Sequence, residues 1–144
     1  MDINVNANQI SIIKDQISKQ DIVKYLVENL CAGTKLNKEE VYKAIQKREQ
    51  GISTTLDTGL SIPHARMEGL DSFKVAIAVL PQGIKDDFGL KIKVIFLFLS
   101  PSGEQYFPEH LKLLAKLAET FNTAFIEEIC KLNNTTDIVK KLPF

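Results

Sequence analysis

Residues 92–99 read IKVIFLFL. The run is too apolar for a strand with one wet face, so it is predicted to lie centrally in a sheet, covered on both sides. Residues 73–80, FKVAIAVL, form a second strand-like run rich in Val, Ile and Ala, and Pro81, Gln82 and Gly83 punctuate its end. Upstream, GISTTLDTGLSIP (51–63) reads as a loop of small polar residues leading into a short strand at Leu60 and Ile62. Downstream, SPSGEQYF (100–107) reads as a loop, and Pro108 opens a helix where a missing N–H is harmless.

Helices are expected on either side of these strands. Ile22, Val23, Leu26, Val27 and Leu30 make one apolar stripe over about 19–31, with Gly33 placed to end it. Asn37 and Glu40 stand in capping-box positions for a second helix running to Gln50, with Gly51 as the stop and Arg48 in the last turn. In the third helix, Leu111, Leu114, Ala115, Ala118 and Phe121 are the expected buried face. Two further helices are expected at about 123–132 and from Thr136, the first starting after a break at Asn122. Ile10, Ile12 and Ile13 read as a short first strand, and residues 1–8 as a loose polar start. The expected fold is α/β, a mixed β-sheet flanked by helices on both faces, in a single domain over 1–144 with its core at about 8–142.

Bulk properties narrow the function. A chain of 144 residues fits one domain and needs no staples. Eighteen basic residues balance eighteen acidic ones, without the basic excess of a dedicated nucleic-acid binder. Cys31 and Cys130 sit in apolar helical stretches with no CxxC, and read as reduced thiols of a cytoplasmic protein. The start MDINVNANQ lacks the basic-then-apolar order of a signal peptide, and the longest apolar run, 94–99, is far too short to span a bilayer. No GxGxxG, P-loop or zinc-ligand spacing occurs, so no cofactor or metal is expected.

The chemistry therefore falls to a few side chains. His64 and His110 are the two histidines. His64 follows Pro63, which holds Ile62 extended, so the imidazole is expected at a strand end. A neutral imidazole can be a nucleophile. His110 lies in the first turn of the third helix, where free N–H groups favour phosphate and disfavour a protonated ring. The guanidinium of Arg48, at the end of the second helix, could hold two phosphate oxygens. Together with Ser53 and Thr54, these groups suit phosphoryl transfer, which depends on positioning and charge stabilisation. Each also has an ordinary reading: loop or core histidines, a solvated arginine at a helix end, and common loop hydroxyls.

The stretch KREQGISTTLDTGLSIPHAR (47–66) resembles the signature of the type-2 enzyme IIA family of the bacterial sugar phosphotransferase system, mannitol–fructose type. Arg48-Glu49 and Ser53-Thr54 match its first elements, and Gly59–His64 match its G–[IL]–[AS]–[IV]–P–H end. HLKLLAKLA from His110 resembles the second block of the family, and DFGLKIKVIFLFLSP from Asp87 resembles its central strand segment. The resemblance implies that His64 accepts a phosphoryl group from the carrier protein HPr and passes it to an enzyme IIB for sugar uptake. It implies that His110 and Arg48 assist. A nitrogen-regulatory relative, in which the state of His64 controls protein partners, is the second expectation, and a scaffold never phosphorylated is a third. Thr55 and Asp57 replace family glycines. If those glycines use positive φ, both replacements would strain the loop, and Asp57 would set a negative charge near the phosphate.

Overall fold

The alternation of side chains in two long strands sets the layers. The computed structural model, which describes residues 3–51 and 54–144, forms a five-stranded sheet from β1 (Ile10–Ile12), β2 (Leu60–Ser61), β3 (His64–Met67), β4 (Lys74–Lys85) and β5 (Lys91–Pro101). β4 and β5 pair antiparallel. β1 runs parallel to β4 on one side, and β2 and β3 both run parallel to β5 on the other. β5 is therefore central, as its apolar run predicts.

Successive side chains on a strand point to opposite faces. Val75, Ile77 and Val79 of β4 join Val94, Phe96 and Phe98 of β5 on one face. That face is covered by α3 (Phe107–Thr120), α4 (Thr123–Cys130) and α5 (Thr135–Lys141), through Leu113, Leu117, Ile126, Ile129 and Ile138. Ala76, Ala78 and Leu80 join Ile95, Leu97 and Leu99 on the other face, under α1 (Lys19–Cys31) and α2 (Lys38–Gly51). Helices cover both faces of a mixed sheet. Local signals set the helix starts: Asp21, Glu40, Phe125 and Asp137 donate their backbone N–H to Ser18, Asn37, Asn122 and Asn134. Both cysteines are free, Cys31 buried and Cys130 half-buried, and burial raises both thiol pKa values.

Four expectations are corrected. Residues 3–8 are not a loose start, because Ile3 and Val5 are buried in the core beside β1. β4 does not end at Leu80. It passes through Pro81–Gly83 as a bulge, in which four residues on β4 stand opposite Lys93 alone, leaving Pro81 no ladder bond to donate. α3 starts at Phe107, one residue before Pro108, and residues 104–106 form a short 3₁₀ turn leading into it. Finally, α3 buries His110, Leu113, Leu117 and its capping residue Phe121, while Leu111, Ala115 and Ala118 are exposed and Leu114 is half-buried. This helix carries leucines on two stripes at helical spacing. The sheet covers the stripe that contains His110.

Candidate functional site

Pro63 has no N–H, so the parallel ladder beside β5 is interrupted between β2 and β3. The Pro63 carbonyl still accepts from Phe98 N–H at 3.2 Å, and pairing resumes with His64 opposite Phe98. His64 thus opens a strand rather than following the end of one. Its ring stacks on Phe98, with centroids 5.0 Å apart and planes 8° from parallel. Nδ1 lies 2.6 Å from the carbonyl oxygen of Ile62. A carbonyl can only accept, so Nδ1 carries the proton and Nε2 carries the lone pair. Nε2 is buried and has no hydrogen-bond partner among the described residues. Burial lowers the His64 pKa, the Ile62 carbonyl opposes this, and the charges of Arg48 and Glu49 act in opposite directions beyond that.

His110 is 5% exposed, and its ring centroid lies 5.4 Å from that of His64. Its Nδ1 is 2.7 Å from the hydroxyl of Ser100, itself fully buried on β5. Burial first, then the His64, Arg66 and Arg48 charges, lower its pKa to about 4. Both rings are therefore neutral near pH 7. Arg48 stands exposed in the last turn of α2, and its charge acts on both histidines. Among the described residues no carboxylate pairs with it, which leaves its guanidinium open to an anion.

Thr54 is committed elsewhere: its hydroxyl donates to Glu49, which also pairs with Lys19 at 3.3 Å. Ser53 lies outside the described residues. No described non-glycine residue has positive φ, so Thr55 and Asp57 stand in this loop without left-handed backbone. Thr55 instead makes a bridge to Ser61, and Asp57 is exposed. Gly59, at φ 103, takes the one conformation among the described loop residues that needs glycine.

Sequence reasoning missed Arg66 and Ser100. Arg66 lies two positions after His64 on β3, hence on the same face, and in register with Ser100. Its Nη2 donates to the carbonyls of Gly103 at 2.9 Å and Ser102 at 3.1 Å, and reaches that of Pro101 at 3.5 Å. Its guanidinium lies 5.0 Å from the centre of the Phe107 ring. Arg66 thus ties down the segment that delivers α3 and His110. The period-2 spacing of His64 and Arg66 was the available signal, but it carries meaning only once 64–67 is known to be a strand. A cleft of about 500 Å³ between α1, α2 and the tip of the β4–β5 hairpin includes neither histidine in its lining. Among the described residues no His, Cys, Asp and Glu side chains gather to hold a metal ion.

The profile of the family described as phosphoenolpyruvate-dependent sugar phosphotransferase system, EIIA 2, matches residues 4–142. The chain belongs to this family. It is 29% identical over 129 residues to a nitrogen regulatory protein of Bradyrhizobium diazoefficiens, covering 87% of this chain and 74% of that one. Its fold matches that of the nitrogen regulatory protein IIA-Ntr from Neisseria meningitidis, with a TM-score of 0.82, 23% identity and 94% of each chain covered. It also matches a solved complex of enzyme IIAMTL and phosphorylated enzyme IIBMTL from Escherichia coli, with a TM-score of 0.77, 16% identity and 96% of each chain covered. No helix among the described residues of this enzyme IIA chain is long and apolar enough to cross a membrane.

Proposed function

We propose that this enzyme IIA chain is a phosphocarrier whose Nε2 of His64 takes a phosphoryl group from phospho-HPr and gives it to an enzyme IIB. The observation that carries the reading is the close contact of His64 Nδ1 with the Ile62 carbonyl. With Nδ1–H tied to the Ile62 carbonyl at 2.6 Å, the lone pair sits on Nε2, where no donor among the described residues occupies it. In the transfer, that lone pair attacks phosphorus. The new N–P bond forms as the donor's N–P bond breaks, and the electron pair of the broken bond stays on the donor imidazole. The Ile62 carbonyl then stabilises the positive charge that develops on the His64 ring. Arg48 and His110 face the transferred group as cation and hydrogen-bond donor. The ring is 3% exposed, so transfer requires neighbouring side chains to move aside.

The downstream role divides two ways. In one, enzyme IIB passes the group on during uptake of a fructose- or mannitol-type sugar in the cytoplasm. In the other, the phosphorylation state of His64 controls binding to other proteins. The relatives titled nitrogen regulatory protein, in sequence and in fold, support the second. The test of the shared step is incubation with phosphoenolpyruvate, enzyme I and HPr, read by intact mass. An acid-labile phosphoryl adduct on the wild type, absent from His64→Ala, is expected. An adduct that survives His64→Ala contradicts the assignment.

A further inference from the structure

We infer that the Ser100 hydroxyl fixes His110 in the tautomer that carries its proton on Nε2, making the second histidine a permanent hydrogen-bond donor. Ser100 is an odd residue for its place. It ends a central, wholly apolar run and is fully buried. A hydroxyl buried there needs a partner, and the partner is Nδ1 of His110 at 2.7 Å.

Two arrangements satisfy that distance. If Nδ1–H donated to the hydroxyl oxygen, the hydroxyl proton would need another acceptor. Ser100 makes no other side-chain hydrogen bond among the described residues, so this proton would be orphaned in a dry site. If the hydroxyl donates to Nδ1 instead, its proton is used and the Nδ1 lone pair is satisfied. A neutral imidazole then holds its own proton on Nε2. The second arrangement leaves no buried donor unmade, whereas an oxygen lone pair without a partner is the lesser loss.

The two histidines then hold opposite tautomers. In His64 the Ile62 carbonyl draws the proton to Nδ1 and frees the lone pair of Nε2. In His110 the Ser100 hydroxyl occupies Nδ1 and leaves an N–H on Nε2. One ring is set up to attack, and the ring 5.4 Å away is set up to donate to phosphoryl oxygens. A His110 lone pair in that position would repel those oxygens. The donor role rests on the phosphocarrier reading given above. The tautomer does not. Ser100 is a positioning residue, since it acts on the transferred group through His110.

Long-range proton–nitrogen spectra of the ¹⁵N-labelled protein at neutral pH read both tautomers directly. The expected result is Nε2–H for His110 and Nδ1–H for His64. Ser100→Thr and Ser100→Val have the same shape and differ in the hydroxyl. The Thr variant should keep the hydrogen-bonded Nδ1 signal and the wild-type transfer rate. The Val variant should lose that signal and slow transfer from phospho-HPr about tenfold. If the β-branched pair fails to fold, Ser100→Ala, which adds no atoms, makes the same comparison with wild type. A wild-type His110 protonated on Nδ1, or a hydroxyl-free variant with unchanged Nδ1 signal and rate, overturns the inference. A wild-type protein that takes no phosphoryl group overturns the carrier reading instead, while the spectra still decide the tautomer.

Discussion

Nδ1 of His64 lies 2.6 Å from the carbonyl oxygen of Ile62, two residues earlier in the chain. Pro63 stands between them, without an N–H to continue the ladder, so the contact forms within one three-residue segment. The contact that sets the His64 tautomer is thus written into three consecutive residues, Ile62, Pro63 and His64. Arg48 and His110 come from elsewhere in the chain, and in the proposed transfer they act on the moving group. His64→Gln should therefore abolish phosphorylation. Arg48→Ala and His110→Ala should slow it by roughly a hundredfold or less with the fold retained. Rapid-quench transfer kinetics with phospho-HPr, alongside circular dichroism, check this.

The acid stability of the fold should report His110. Its pKa falls from 6.5 to about 4 on folding, so between these values the unfolded chain binds more protons than the native one. Stability from this group is full above about pH 6.5, falls as pH drops toward 4, and levels off below that. The loss is at most about 3 kcal/mol. His64, shifted in the same direction, adds to it. Urea unfolding from pH 7 to pH 4 should show the decline, and His110→Gln should flatten part of it. A stability that rises on acidification through this window contradicts the assignment of buried, neutral rings.

Arg66 should prove structural for the His110 side of the site. Its guanidinium donates to the backbone carbonyls of residues 102 and 103 at 3.1 and 2.9 Å. Removing it leaves half-buried acceptors without a charged donor, so Arg66→Met should lower unfolding free energy by about 1–2 kcal/mol. Arg66→Lys should recover only part, because an ammonium does not stack on the Phe107 ring as the guanidinium can. Denaturant titration measures the stability, and the amide signals of residues 101–110 should shift while those of α5 stay put.

Leu111 and Leu113 separate the two faces of α3. Leu113 is fully buried and Leu111 is 50% exposed. Leu113→Ala should cost about 2–5 kcal/mol, and Leu111→Ala about 0.5 kcal/mol or less. Equal losses at the two positions would mean that the helix is rotated from the orientation that buries His110.

Much of this fold was legible because its signals are local. The stripe of α1, the Asn37 cap of α2 and the unbroken apolar run of β5 each fix an element within a few residues. The missing parts depend on tertiary context. The leucine-rich third helix carries two stripes at helical spacing, and only the sheet beneath it decides which is buried. β3 is four residues long and contains Arg66, so nothing in its composition marks a strand. It exists because β5 offers it a free edge. Ile3 and Val5 did carry a signal, their alternation with Asp and Asn, but the polar neighbours hid it. At the candidate site, His64, His110 and Arg48 were singled out by residue type and motif, and the structure brings the two rings within 5.4 Å with the Arg48 charge acting on both. Ser100 and Arg66 escaped because one reads as the start of a loop and the other lies in a strand that its composition does not announce. Their roles lie in what they hold, the Nδ1 of His110 and the carbonyls after β5.

The most direct test of the central claim is to phosphorylate the ¹⁵N-labelled protein with phosphoenolpyruvate, enzyme I and HPr, and to record phosphorus–nitrogen couplings on the two histidine rings. The account predicts one phosphoryl group, on Nε2 of His64, with Nδ1 still protonated toward Ile62 and His110 unmodified. A phosphoryl group on Nδ1 of His64, or on His110, would contradict it.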